Sequence, residues 1–130
     1  MDQEAMKQHG AFSWNELMTT DVSSAKAFYR ELFGWDMHDE PIPDGTYTLL
    51  NAGVQKVGGI MAIPTEAAGI PPAWGAYVTV DDVDQQVSRA ETLGGRIVLP
   101  PQDIPNVGRF AVISDPQGAM LSMITYTSQG

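Results

Sequence analysis

Trp74–Arg96 reads WGAYVTVDDVDQQVSRAETLGGR, and this stretch decides the fold. Trp74–Val80 carries Tyr77, Val78, Thr79 and Val80, β-branched and aromatic types that suit a half-buried strand. Asp81 and Asp82 offer side-chain oxygens to the unbonded N–H groups of a helix start. Val83, Val87 and Ala90 recur at helical spacing, with Leu93 near the end. Gly94 and Gly95 permit the left-handed turn on which helices stop.

The same unit occurs earlier, as WNELMTTDVSSAKAFYRELFGW over Trp14–Trp35. Asp21-Val22 matches Asp82-Val83 at an offset of 61 residues, and Gly34 matches Gly95 at the same offset. Equal offsets across a helix predict two helices of equal length. A short strand, a turn and two β-rich runs follow each helix. The chain therefore reads as two β-α-β-β-β modules, and a repeat of this size governs the fold.

Composition narrows the function. The chain has 130 residues, 43% of them hydrophobic, enough for one domain or two half-domains sharing a core. A net charge of −9 disfavours nucleic acid and anionic membranes as partners, because both are bound through Lys and Arg. With no Cys there is no disulfide, thiolate metal site or cysteine nucleophile. No apolar run approaches the ~20 residues of a membrane span. The first ten residues, MDQEAMKQHG, lack the apolar core of a signal peptide, so a cytoplasmic location is expected.

In order, residues 1–10 read as a loose tail and Ala11–Thr19 as the first strand. Trp14, Glu16 and Met18 share one face of it, and Leu17 points to the other. A helix follows, with Val22, Ala25, Phe28, Tyr29, Leu32 and Phe33 along one side, a stripe that suits packing on a sheet. Trp35–Asp39, Thr46–Leu50 and Val57–Ile63 are strands, separated by turns at Pro41–Gly45 and Asn51–Gly53. Residues 64–73 have the composition of a linker. In module two, Ile97–Leu99, Gly108–Ile113 and Ala119–Thr125 are strands. Pro100–Val107 reads as a proline-rich loop and Ser114–Gly118 as a tight turn. The last few residues are expected to fray.

The paired modules, Tyr77-x-x-Val80-Asp81-Asp82-Val83-Asp84, Gly108-Arg109-Phe110-Ala111-Val112-Ile113 and Asp115-Pro116-Gln117-Gly118 together resemble the vicinal-oxygen-chelate superfamily. That group includes glyoxalases, bleomycin-resistance proteins and extradiol dioxygenases. The likeness covers roughly residues 11–126 as a single domain, with module 11–63, linker 64–73 and module 74–126. It implies an α+β fold whose eight strands form a curved half-barrel around a cup, with helices on the convex face. It also implies a divalent metal held by His, Glu or Gln side chains from the first and last strands of each module. Here those positions fall on Trp14, Gly75, Ser122 and Met61 or Ala62, so no metal and no other cofactor is expected.

Two histidines remain. His9 belongs to the tail, and His38 reads as an exposed edge-strand residue beside Asp39 and Glu40. Glu16 is the candidate catalytic group, because a carboxylate in an apolar cup can act as a base. It could instead pair with Arg109 or with a ligand. Trp14, Glu16, Tyr47, Met61, Trp74, Tyr77, Met120 and Ser122 are the candidate ligand-binding residues, aromatic and soft as small-molecule sites are. Gly58-Gly59 reads as close strand packing rather than a phosphate loop. The expectation is a metal-free protein that binds a small organic molecule, without nucleic-acid or membrane partners. The alternative is an enzyme: a metal-dependent lyase, isomerase or dioxygenase, or a metal-free one with Glu16 as general base. Homodimerisation is implied by the resemblance.

Overall fold

The computed structural model describes residues 7–42, 45–104 and 107–127. The first six residues, the Pro43-Asp44 part of the expected turn, Pro105-Asn106 and the last three residues lie outside that set. Within it the chain is α+β, in the order β1 (Phe12–Thr19), α1 (Val22–Phe33), β2 (Asp36–Ile42), β3 (Gly45–Ala52), β4 (Gln55–Ala62). A 3-10 turn at Thr65–Ala67 precedes β5 (Ala73–Thr79), α2 (Val83–Thr92), β6 (Arg96–Ile104), β7 (Gly108–Ser114) and β8 (Met120–Tyr126). Two compact units divide the chain, Trp14–Gly75 on one side and Met1–Ser13 with Ala76–Gly130 on the other.

In the first module the strands lie in the order β2-β3-β4-β1. The hairpins are antiparallel, and β4 returns parallel to β1. The crossover through α1 makes that parallel pairing possible. Leu17, Leu50 and Ile60 form a buried cluster, with Val22, Ala25, Tyr29, Trp35, Met37 and Val57 packed against it. Leu17 therefore faces the helix, as alternation along the strand requires. Asp21 caps α1: its Oδ1 accepts the Ser24 N–H at 3.0 Å, and Gly34 ends the helix at φ 71°.

The second module repeats the order, β6-β7-β8-β5, with β8 parallel to β5. Its core of Val80, Val83, Val87, Ala111 and Met123 packs Val78, Ile97 and Ile113 against itself. Asp82 caps α2 by accepting the Gln85 N–H at 3.2 Å. The segment before β1 is tied to this unit. The Gly10 N–H donates to the Thr79 carbonyl at 2.7 Å, the Thr79 N–H donates to the Ala11 carbonyl, and His9 Nδ1 accepts the Asp81 N–H. Residues 9 and 10 are thus anchored rather than loose.

Three expectations are corrected. The helices begin at the same offset, but α1 has 12 residues and α2 has 10. Gly94, not Gly95, takes the positive φ, and its N–H bonds the Glu91 carbonyl one turn back. Gly95 serves close packing, since a Cβ there would meet the Ser114 carbonyl oxygen at 2.8 Å. Second, Pro100 and Pro101 lie inside β6, not in a loop. β6 is an outer strand with register shifts at Ile97/Leu99 and Leu99/Gln102, and edges and bulges are where proline survives in a sheet. Likewise Pro41 and Ile42 extend outer strand β2, and Asn51-Ala52 extend β3, moving its turn to Gly53. Third, α1 buries none of its residues. Phe28, Leu32 and Phe33 are more than half exposed, so its stripe is only partly taken up by the sheet.

Candidate functional site

Register fixes which side chains of the first module share the face opposite α1. Glu16 lies beside Gly59, and Met18 beside Met61. Gly59 in turn lies beside Leu49, Leu49 beside His38, and Tyr47 beside Glu40. Directly opposed residues project to the same side. Trp14, Glu16, Met18, Leu49, Tyr47, Met61, His38 and Glu40 therefore belong to one helix-free face. Met37, Asp39, Thr48 and Ile60 belong to the face under α1.

A hydrogen-bonded chain crosses the helix-free face. The Trp14 indole N–H donates to the Tyr47 hydroxyl at 2.8 Å. That hydroxyl donates to Glu16 Oε1, also at 2.8 Å. Tyr47 stands on β3 and Glu16 on β1, two strand spacings or roughly 9.6 Å apart. Gly59 on the intervening β4 makes the reach possible: a Cβ there would collide with the Tyr47 ring. Gly58 answers to a different closeness, because its Cβ would meet the Asn15 carbonyl oxygen at 2.6 Å. The expectation of close packing at Gly58-Gly59 holds, and Gly59 adds a part in the site that no sequence pattern announces.

Glu16 is 3% exposed. A carboxyl group this deep needs hydrogen-bond partners, and the Tyr47 hydroxyl supplies one. Arg109 does not fill that role. It donates to Asp84 through Nε at 2.9 Å and through a terminal nitrogen at 3.1 Å, and to Asp103 at 3.0 Å. The two Asp84 bonds, reinforced by the opposite charge, hold the Asp84 carboxyl below its ordinary pKa. His38 is exposed on β2, 2.9 Å from Glu40.

Trp74 departs from its expected place. It packs edge-on against Tyr29 and Trp35 at centroid distances of 5.3 and 5.9 Å. Its indole N–H points to the Tyr29 hydroxyl at 3.1 Å. Trp74 thus lies with the helix, and strand alternation explains why: it shares parity with Val78, which packs on the α2 side. In the second module, Tyr77 is buried beside Phe110 and registers with buried Ser122. Met120, at the start of β8, is 41% exposed.

The metal positions implied by the resemblance fail a chemical test. Trp14 offers an indole N–H already donated to Tyr47, Gly75 has no side chain, Met61 offers a thioether, and Ser122 a hydroxyl. Hard or borderline divalent ions want imidazole and carboxylate. Among the described residues, no three His, Cys, Asp or Glu side chains converge. The residues present do not fit a divalent metal at those positions.

Comparison with known proteins places this geometry. The chain is 38% identical over 126 residues to the candidate glyoxylase CFP32 of Mycobacterium tuberculosis, covering 95% of this chain and 48% of that protein. It is 31% identical to the anthracycline biosynthesis protein DnrV of Streptomyces peucetius, covering 88% and 46%. The chain thus spans about half the length of these curated relatives. Methylmalonyl-CoA epimerase from Mycobacterium tuberculosis shares the fold with a TM-score of 0.61 at 18% identity, over 91% of this chain and 88% of that one. The Streptomyces coelicolor epimerase, in complex with 2-nitronate-propionyl-CoA, gives 0.63 at 15%, over 93% and 100%. Residues 11–123 match the family profile itself, and the chain belongs to the Glyoxalase/Bleomycin resistance protein/Dioxygenase superfamily.

Proposed function

We propose that this chain binds a small, partly aromatic organic molecule on the helix-free face of its first module, without a divalent metal. The observation that carries the reading is the Trp14–Tyr47–Glu16 chain. It sets a carboxylate and a phenol beside Met18, Leu49 and Met61, with His38 and Glu40 farther out on the same face. Few polar groups in an apolar lining is the usual make-up of a small-molecule site. Glu16 and Tyr47 orient the ligand, and Trp14 supplies a stacking surface. Residues 11–126 act as one domain, as a homodimer in the cytoplasm. The relatives named for anthracycline biosynthesis favour a fused-ring aromatic as the ligand class.

A second reading is favoured by the burial of Glu16 and by the relative described as a glyoxylase. In it Glu16 removes a proton from a bound carbonyl compound as a metal-free general base.

The test begins with metal content, by inductively coupled plasma mass spectrometry on protein purified without chelator. Thermal stability is then followed with a dihydroxyanthraquinone, with and without EDTA. Near-zero metal and EDTA-insensitive stabilisation are expected. About one tightly held ion per chain would overturn the metal-free reading. Glu16→Gln keeps the size and a hydrogen-bond acceptor but removes the base. In a binder it weakens affinity. In an enzyme it abolishes turnover while binding survives.

A further inference from the structure

A hollow of about 380 Å³ opens between α1 and Pro72–Trp74, wholly within the Trp14–Gly75 unit. Leu17 lines it, so it lies on the opposite side of β1 from Glu16. We propose that this hollow is a second binding site, for a small organic cation of the quaternary or methylated ammonium class. Its size falls near the lower end of the roughly 300–1,000 Å³ of small-molecule sites. Three rings line it, those of Phe28, Tyr29 and Trp74. The planes of Phe28 and Trp74 stand at 87° and 82° to that of Tyr29, with centroids 4.9 and 5.3 Å from it. Rings set at right angles around one hollow can bring more than one π face to a single guest, as aromatic cages for quaternary ammonium groups do. The Trp74 indole N–H on the Tyr29 hydroxyl ties two of the rings together at 3.1 Å, so binding has less order left to impose. Phe28 and Trp74 stay 58 and 40% exposed, and a guest would take that apolar surface out of water.

Charge distinguishes a cation from a neutral guest. Asp21 lines the hollow at the start of α1, and no Lys, Arg or His lines it. The Ser24 N–H and hydroxyl bond the two Asp21 carboxylate oxygens at 3.0 and 2.9 Å. These bonds hold the carboxyl below its ordinary pKa, so it is charged at neutral pH. Among the described residues Asp21 enters no ion pair. Lys26, the first cation along the helix, is turned to Asp39. A carboxylate without a counterion beside aromatic faces, in a chain of net charge −9, favours a guest that brings positive charge. One carboxylate among rings does not supply the shell of oxygens that a bare divalent ion requires. A methylated ammonium needs no such shell, because its charge is spread over an apolar surface.

The site is independent of the ligand face that carries Glu16 and Tyr47. Choline is the probe, titrated into the unaltered chain and followed by NMR on the three tryptophan indole N–H signals. The Trp74 signal should move saturably while the Trp14 signal stays in place. Dimethylbutanol, the neutral carbon isostere of choline, should bind at least about 10-fold more weakly. Asp21→Asn keeps a good helix cap and removes the charge, and it should weaken choline about 3-fold or more. Phe28→Leu removes one ring from an exposed position and should weaken it about 2- to 5-fold. Glu31→Gln makes the same change of net charge on α1 outside the hollow and should leave choline binding unchanged. The absence of a saturable shift at Trp74 would overturn the site. So would equal binding of the neutral alcohol, or equal weakening by Glu31→Gln and Asp21→Asn.

Discussion

α1 and α2 start 61 residues apart at equivalent positions, each capped by an aspartate, yet they end up in opposite circumstances. α2 buries Val83 and Val87 and turns Asp84 outward to Arg109. α1 buries nothing and exposes Phe28, Leu32 and Phe33. Capping and spacing specify a helix in both places. They do not say how much of the apolar stripe the sheet beneath will cover. The six apolar positions of α1 span about 140° at 100° per residue, wider than one contact surface takes up. Val22, Ala25 and Tyr29 reach the sheet, and the remainder faces outward.

The contrast breaks most sharply in folding stability. Ile60 lies at 0% exposure beneath α1, and Ile60→Ala should cost about 2–5 kcal/mol by urea unfolding. Val83→Ala, removing two methyl groups from the α2 core, should cost about 2 kcal/mol. Leu32→Ala, on the exposed stripe, should stay within about 0.5 kcal/mol at concentrations where the chain is monomeric. A large loss at Leu32 would mean that the two helices are equally committed to their own sheets.

A smaller effect separates two glycines. Gly59→Ala drives a methyl into the Tyr47 ring and should cost about 1–3 kcal/mol, parting Tyr47 from Glu16. Gly75→Ala has only the Glu16 carbonyl oxygen near, at 3.9 Å, and should be close to neutral. Matching melting temperatures for the two variants would count against the reach of Tyr47 across β4.

The smallest effect concerns pH. Asp39 accepts a hydrogen bond from the Thr48 hydroxyl at 2.7 Å and from the Lys26 ammonium at 3.0 Å. These contacts, Thr48 first, hold its carboxyl below the ordinary value of 3.8. Such a group adds stability above its unfolded pKa and forfeits it as pH falls through the lower folded value. Melting temperature should therefore decline below about pH 4, and Asp39→Asn should flatten part of that decline. Asp84→Asn should act likewise at α2, where Arg109 plays the part of Lys26 and Thr48.

Much of the fold was legible because it rests on local chemistry. Asp21 and Asp82 mark helix starts, Gly34 marks a stop, and alternation puts Leu17 under α1 and Glu16 opposite it. What escaped depends on neighbours distant in sequence. Pro100 and Pro101 lie in a strand because β6 is an edge, which only pairing order reveals. Gly59 matters because Tyr47 passes over it, and nothing in the residues around Gly59 announces Tyr47. Trp74 was readable from its parity with Val78, yet its ring partners come from α1 and Trp35.

Trp14 lies on the Glu16 face, whereas Trp35 and Trp74 lie with α1, so tryptophan fluorescence can report on one face alone. With Trp35→Phe and Trp74→Phe leaving Trp14 as the sole reporter, a dihydroxyanthraquinone is titrated in the presence of EDTA. Saturable quenching, weakened by Tyr47→Phe and by Glu16→Gln, is the result expected of metal-free binding on this face. Quenching that requires added divalent metal, or none at all, would contradict it.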